Sequence, residues 1–173
     1  VRHKRTLLTL LPICIALGCA SALGRESVLV HVEPNFQWPQ SASGIPKSNM
    51  TPRTRVQGFV ARIASELGSP PLKVGSFVFA PLEQGAPSLV ATVDASGRDL
   101  FYALAVISPV KGGFRYCVLT SVAPHFLPSE VTDLNGRGLD EVITRELAGS
   151  YRGARTDPIY WYTVYAFHGG KPQ

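Results

Sequence analysis

Few residue types that carry chemistry are present in number. Only three of 173 residues are cysteine, and two of them, Cys14 and Cys19, fall within the first 22 positions. Cys117 is then the single cysteine of the body, which excludes an internal disulfide, a CxxC redox pair and a cysteine-rich metal site. It lies in the apolar run Phe114-Arg-Tyr-Cys-Val-Leu-Thr120, where a free cysteine acts as a small buried hydrophobe. His31, His125 and His168 stand alone, with no HExxH or HxH spacing. GxSxG, P-loop and dinucleotide fingerprints are missing. Ser108-Pro-Val-Lys111 matches an SxxK string, but Pro109 and the following Gly112-Gly113 make it a turn, whereas that nucleophile starts a helix. Asp140 and Glu141 are the only paired carboxylates, and neighbours on a strand point to opposite faces, so they do not flank one bond.

Charge is also scarce. Charged residues make up 17 % of the chain, and its formal charge of +5 falls to +2 once Arg2, Lys4 and Arg5 are set aside. The remaining cations are scattered singly, without the basic stripe that tracks a phosphate backbone, so nucleic acid is excluded as a partner.

The N-terminus explains the set-aside charge. Arg2, His3, Lys4 and Arg5 precede an apolar run from Thr6 to Gly18 that is too short to span a bilayer, the pattern of a signal peptide over residues 1–22. Two processing sites compete. Ala16-Leu-Gly-Cys19 resembles a bacterial lipobox, which implies lipidation of Cys19 and a membrane anchor. Ala20-Ser-Ala22 fits ordinary signal peptidase and a soluble product beginning at Leu23. Either way the expected location is outside the cytoplasm, at the outer membrane or in the periplasm.

Residues 23–51 carry Pro34, Pro39 and Pro46 with Ser41, Ser43 and Ser48 and no sustained period, and read as a tether. The alternative is a strand near Val28 to Val32 that joins the sheet. Residues 52–173 then form one domain. Val56, Phe59, Val60, Ile63, Ala64 and Leu67 recur at helical spacing, with Thr51 and Pro52 placed to start the helix and Gly68, Pro70 and Pro71 to stop it. After Leu72 the pattern is strands: 73–80, 88–93, 100–108, 113–122, 141–147 and 160–167, separated by glycine and proline turns. Helical periodicity does not return between them, so the crossovers of a parallel sheet are missing. The expected class is α+β, a mainly antiparallel sheet of about six strands with one packed amphipathic helix.

The densest cluster of oxygen ligands is Asp133-Leu-Asn-Gly-Arg-Gly-Leu-Asp-Glu141, which feeds the strand starting at Val142. Val93 to Ala103 aligns on Thr132 to Val142 without gaps, pairing Asp94 with Asp133, Ser96 with Asn135 and Gly97 with Gly136. The segment resembles the FG-GAP or VCBS repeats of integrin-like propellers, whose loops bind calcium between two strands of a blade. That resemblance implies Asp133, Asn135 and Glu141 as metal ligands and Gly138 as the loop glycine, with the third ligand position occupied by Arg137. Two readings stay open: a weak calcium site, or a turn neutralised from within by Arg137 pairing with Asp133 or Glu141.

In Tyr160-Trp-Tyr-Thr-Val-Tyr-Ala-Phe167, alternation sends Tyr160, Tyr162, Val164 and Ala166 to one face and Trp161, Thr163, Tyr165 and Phe167 to the other. The strand is expected to be central, covered by the helix on one side and screened by loops on the other. The competing expectation is an exposed aromatic row that stacks on a sugar or peptidoglycan strand. Together these features point to a non-catalytic bacterial envelope protein that binds an envelope protein or glycan partner, or scaffolds, through its sheet loops, and touches the membrane through a lipid anchor. An envelope hydrolase using Asp133, Asp140 or His125 is the alternative. No cofactor is expected beyond weakly held calcium.

If Cys19 is lipidated, Cys19→Ala should move the protein from the membrane fraction to the soluble fraction and abolish labelling by a palmitate analogue. Unchanged fractionation with an N-terminus at Leu23 would establish soluble export instead.

Overall fold

A computed structural model describes residues 27–41, 52–94, 102–122, 130–150 and 158–173. The segment expected to be a signal peptide, including Cys19, and most of the first copy of the repeat lie outside them. Chain order is β1 (Val28–Val30), α1 (Arg53–Glu66), β2 (Lys73–Ala80), β3 (Ser88–Asp94), β4 (Tyr102–Val110), β5 (Gly113–Val122), β6 (Glu130–Thr132), β7 (Glu141–Ser150), β8 (Pro158–Tyr165), β9 (Phe167–His168) and β10 (Lys171–Pro172). The α+β class holds, but the strands divide. A five-stranded sheet runs β1-β5-β4-β3-β2, a three-stranded sheet β6-β7-β8, and β9 and β10 form a hairpin. All pairings are antiparallel.

The division follows from β3 and β4. Every residue of Ser88–Asp94 is buried, so this strand needs cover on both faces. Leu89, Ala91 and Val93 share one face with Ala105 and Ile107 and pack under Val56, Phe59, Val60, Ile63 and Ala64 of α1. Val90, Leu104, Val106, Cys117 and Leu119 occupy the other face and meet Val142 of β7, Tyr165 of β8 and Phe167 of β9. The result is three layers: helix, large sheet, small sheet.

Helix α1 starts directly after Pro52, which occupies the cap position and supplies no side-chain hydrogen bond; Thr51 lies outside the described residues. Termination matches the sequence. Ser69 N–H donates to Ala64 O (2.8 Å) and Gly68 N–H to Ser65 O (3.1 Å), the paired bonds of a Schellman stop. Gln57 then fastens the helix to β2, donating to Leu72 O and accepting from Val74 N–H, both at 2.6 Å.

The tether reading is corrected for residues 27–41, whose serine and proline content hides two core aromatics. Val30 is fully buried, Phe36 and Trp38 are 8 % exposed, and β1 pairs with β5 from Val28↔Tyr116 to Val30↔Phe114. Trp38 sits 4.7 Å from Phe114, 5.2 Å from Phe79 and 5.6 Å from Phe59 between ring centroids, and its indole N–H donates to Pro87 O at 2.9 Å. The strand is held at its far end as well. His31 N–H donates to both carboxylate oxygens of Glu66 (2.9 and 3.1 Å), and its Nδ1 lies 2.8 Å from Gly112 O. Gly113 permits this approach, because a Cβ there would stand 2.3 Å from Val30 O.

Truncating Trp38 tests whether this segment belongs to the body. Trp38→Ala removes a buried ring and orphans Pro87 O, and should cost about 3–5 kcal/mol in urea unfolding. A tether residue would show no change.

Candidate functional site

The Asp133 loop joins β6 to β7, and its conformation is written by its oxygens. Asp133 Oδ2 accepts from Gly138 N–H at 2.7 Å and Oδ1 from Arg137 N–H at 3.1 Å; Asn135 Oδ1 shares the Arg137 N–H at 3.1 Å. Gly136 and Gly138 adopt φ of 71° and 77°, the left-handed values that turn successive N–H groups inward onto the aspartate. Glu141 closes the loop from the first residue of β7. Its Oε2 accepts from Leu134 N–H at 2.9 Å, and its Oε1 accepts from the Asn135 amide. Asp140 N–H donates to Pro81 O (2.9 Å), which ties the loop to the connection between β2 and β3.

Asp133, Asn135 and Glu141 are therefore brought together as their spacing suggests. Their polar groups are spent on the loop itself, with the Asn135 amide aimed at Glu141. Among the described residues no group of three or more His, Cys, Asp or Glu side chains is placed to hold a metal. For these three residues to serve a cation, the Asn135 amide would have to turn its oxygen inward and Glu141 release an N–H.

Electrostatics separates the two aspartates. The Gly138 N–H, with smaller help from Arg137, Gly136 and Asn135 N–H groups, holds the Asp133 carboxyl below its ordinary value against desolvation. Backbone amides thus stabilise the ionised Asp133; the contribution of Arg137 is its N–H, rather than the guanidinium pairing anticipated from sequence. Asp140 is raised, first by desolvation and then by the negative charges of Asp133 and Glu141. His125, the other residue considered for a hydrolytic site, lies outside the described residues. Burial pushes the Cys117 thiol up to about 12, which leaves it protonated and unreactive.

The second feature is the outer face of the small sheet. The expectation of a central, twice-covered β8 is corrected: β8 is an outermost strand, and α1 covers the opposite layer. Alternation is as read from sequence. Tyr165 and Phe167 are buried, whereas Tyr162 is 64 % and Val164 48 % exposed. Cross-strand register sets Ile143 beside Val164 and Arg145 beside Tyr162, and the Arg145 guanidinium lies 4.5 Å above the Tyr160 ring. Leu134, at 55 % exposure, projects from the Asp133 loop. Alongside β8 a trough of about 280 Å³ is lined by Thr163, Val164, Tyr165, Pro172 and Gln173, side chains without a carboxylate, imidazole or thiol. Sequence reasoning missed Ile143 and Arg145 as members of this face, because only the β7–β8 register puts them there.

Comparison with family models, curated proteins and solved structures returned no match.

The two loop aspartates should respond to substitution with opposite signs. Asp133 has a depressed folded-state pKa, so its stabilisation is present above the unfolded value of about 3.9 and is lost as pH falls through the folded value. Asp133→Asn should therefore lower the melting temperature at pH 7. Asp140 has a raised folded-state pKa, so its ionisation opposes folding at pH 7 and this opposition disappears below the unfolded value. Asp140→Asn should raise the melting temperature at pH 7, and both differences should shrink in melts run toward pH 3.

Proposed function

We propose that the chain is an exported, lipid-anchored, non-catalytic bacterial envelope protein that binds a protein or glycan partner through one end and the outer face of its small sheet. The observation that carries this reading is the exposed row of Tyr162 and Val164. These side chains stand on the edge strand β8, with Arg145 stacked on the neighbouring Tyr160. Large aromatics on a surface lose little conformational entropy on binding and offer both an apolar ring and a hydroxyl, which suits sugar rings and peptide surfaces alike. The Asp133 loop borders the same sheet and presents Leu134 beside it. We read that loop as a self-satisfied turn of FG-GAP type that fixes the register of β6 on β7. Any calcium bound by Asp133, Asn135 and Glu141 would be held in the weak, millimolar range of extracellular modules.

No helix among the described residues is long and apolar enough to cross a membrane, and the proposed membrane attachment runs through Cys19. The binding reading is tested on the surface row. Tyr162→Ser with Val164→Ser should leave unfolding stability within about 0.5 kcal/mol, because both side chains are largely in water. The same variant should lose at least tenfold in retention on isolated peptidoglycan or in capture of whichever envelope protein the wild-type chain retains. Equal retention by variant and wild type would remove this face from the function.

A further inference from the structure

We propose that the β1 edge of the large sheet is the surface that lies on an anionic bilayer. The inference rests on lipidation of Cys19, and adds to it an orientation. Nine positions separate Cys19 from Val28. Such a stretch reaches at most about 30 Å even when fully extended. A domain of roughly 130 residues has a radius of gyration near 14 Å, so the leash is no longer than the body is wide. The body therefore meets the bilayer near the point where the chain enters it. That point is fixed, because β1 is locked by its register with β5 and by the bonds from His31 to Glu66 and Gly112.

The edge has the composition that such a contact requires. Val28 is 36 % and Leu29 38 % exposed, on opposite sides of an outermost strand. Leu29 is the register partner of Arg115, whose aliphatic stem lies against Gly170 in the turn between β9 and β10. This places the exposed Lys171 of β10, which packs on β5, near the same edge. Lys111 is exposed in the adjoining turn from β4 to β5. Among the described residues no carboxylate pairs with Arg115, Lys111 or Lys171. Of the described acids on this side, Glu66 and Glu83 accept main-chain N–H groups from His31 and Gly170, while Glu33 is exposed beyond the end of β1. Two exposed aliphatic side chains flanked by cations suit the headgroup layer, where apolar groups enter the acyl boundary and cations meet lipid phosphates. With Val28 and Leu29 turned to the membrane, Tyr162 and Val164 on the separate small sheet stay open to a partner.

The test uses the full-length chain, processed in a bacterial host and reconstituted into vesicles of phosphatidylethanolamine and phosphatidylglycerol. Mass spectrometry of the same preparation reports acylation of Cys19. Cys117 is buried, so an environment-sensitive maleimide attaches selectively to Leu29→Cys, to Val28→Cys as a second probe of the edge, or to the control Val78→Cys on the opposite edge strand. With Cys19 acylated, the labels at 28 and 29 should shift to the emission of an apolar medium. Lipid-borne quenchers should suppress them several-fold more than the label at 78. The docked population should fall in phosphatidylcholine vesicles, at high salt, and by about fivefold for each of Lys111→Gln and Lys171→Gln. Acylated protein whose labels respond equally at 28, 29 and 78 would overturn the orientation and leave the anchor standing. Absence of the acyl group would overturn both, since the leash would be gone.

Discussion

Burial of the large sheet on both faces is the constraint on which the rest of this structure depends. β3 exposes none of its seven residues, and the adjoining stretch from Leu104 to Ser108 on β4 is equally buried. An antiparallel sheet with one solvated face would alternate apolar and polar side chains, whereas here Leu89, Val90, Ala91 and Val93 are apolar in near succession. Burying a Val or Leu side chain is worth roughly 1.5–3 kcal/mol, so leaving either face open would forfeit several such contributions at once. Helix α1 covers one face. The other is covered by the small sheet and the β9–β10 hairpin, and Ser88, Ser108 and Thr92 are matched in place. Ser88 and Ser108 hydroxyls lie 2.7 Å apart, and the Thr92 hydroxyl fills the β2 bulge by accepting from Ser76 N–H at 2.7 Å.

The connection between β2 and β3 couples the two sheets. Pro81 O receives the Asp140 N–H, Leu82 is buried in the second core, and Glu83 accepts from Gly170 N–H at 2.8 Å. One short segment therefore holds the Asp133 loop and the C-terminal hairpin against the large sheet. This explains why that loop, although exposed, has a single defined shape: its carboxylates are held from within by N–H groups, and its end is held from outside by Pro81. Such a loop borders the small sheet that carries Tyr162. Its oxygens accept hydrogen bonds from the loop's own N–H groups, so the residue spacing sets the loop's shape.

The two surfaces divide the proposed roles. The β1 edge exposes Val28 and Leu29 with cations nearby, and Val28 follows Cys19 by nine positions in the sequence. The outer face of the small sheet combines aromatic rings with a stacked guanidinium and lies in a different layer. A protein anchored through the first can present the second, because the β1 edge belongs to the large sheet and Tyr162 stands on the small one.

The sequence by itself determined the local elements. Helical spacing from Val56 to Leu67 and the Gly68 stop placed α1, and alternation with glycine turns placed β2, β3, β4, β5, β7 and β8, because these depend on residues a few positions apart. The gathering of Asp133, Asn135 and Glu141 was legible for the same reason: a loop of nine residues with two left-handed glycines has few ways to close. What only the tertiary structure decided was which elements face each other. Proline and serine content concealed that Phe36 and Trp38 enter the first core, since a core aromatic is recognised by the rings it meets and those come from α1, β2 and β5. The faces of β8 were readable from alternation, but which of them met water was not. That depended on the strands dividing into two sheets, a choice made by the need to bury both sides of β3 and β4, and no spacing within β8 records it.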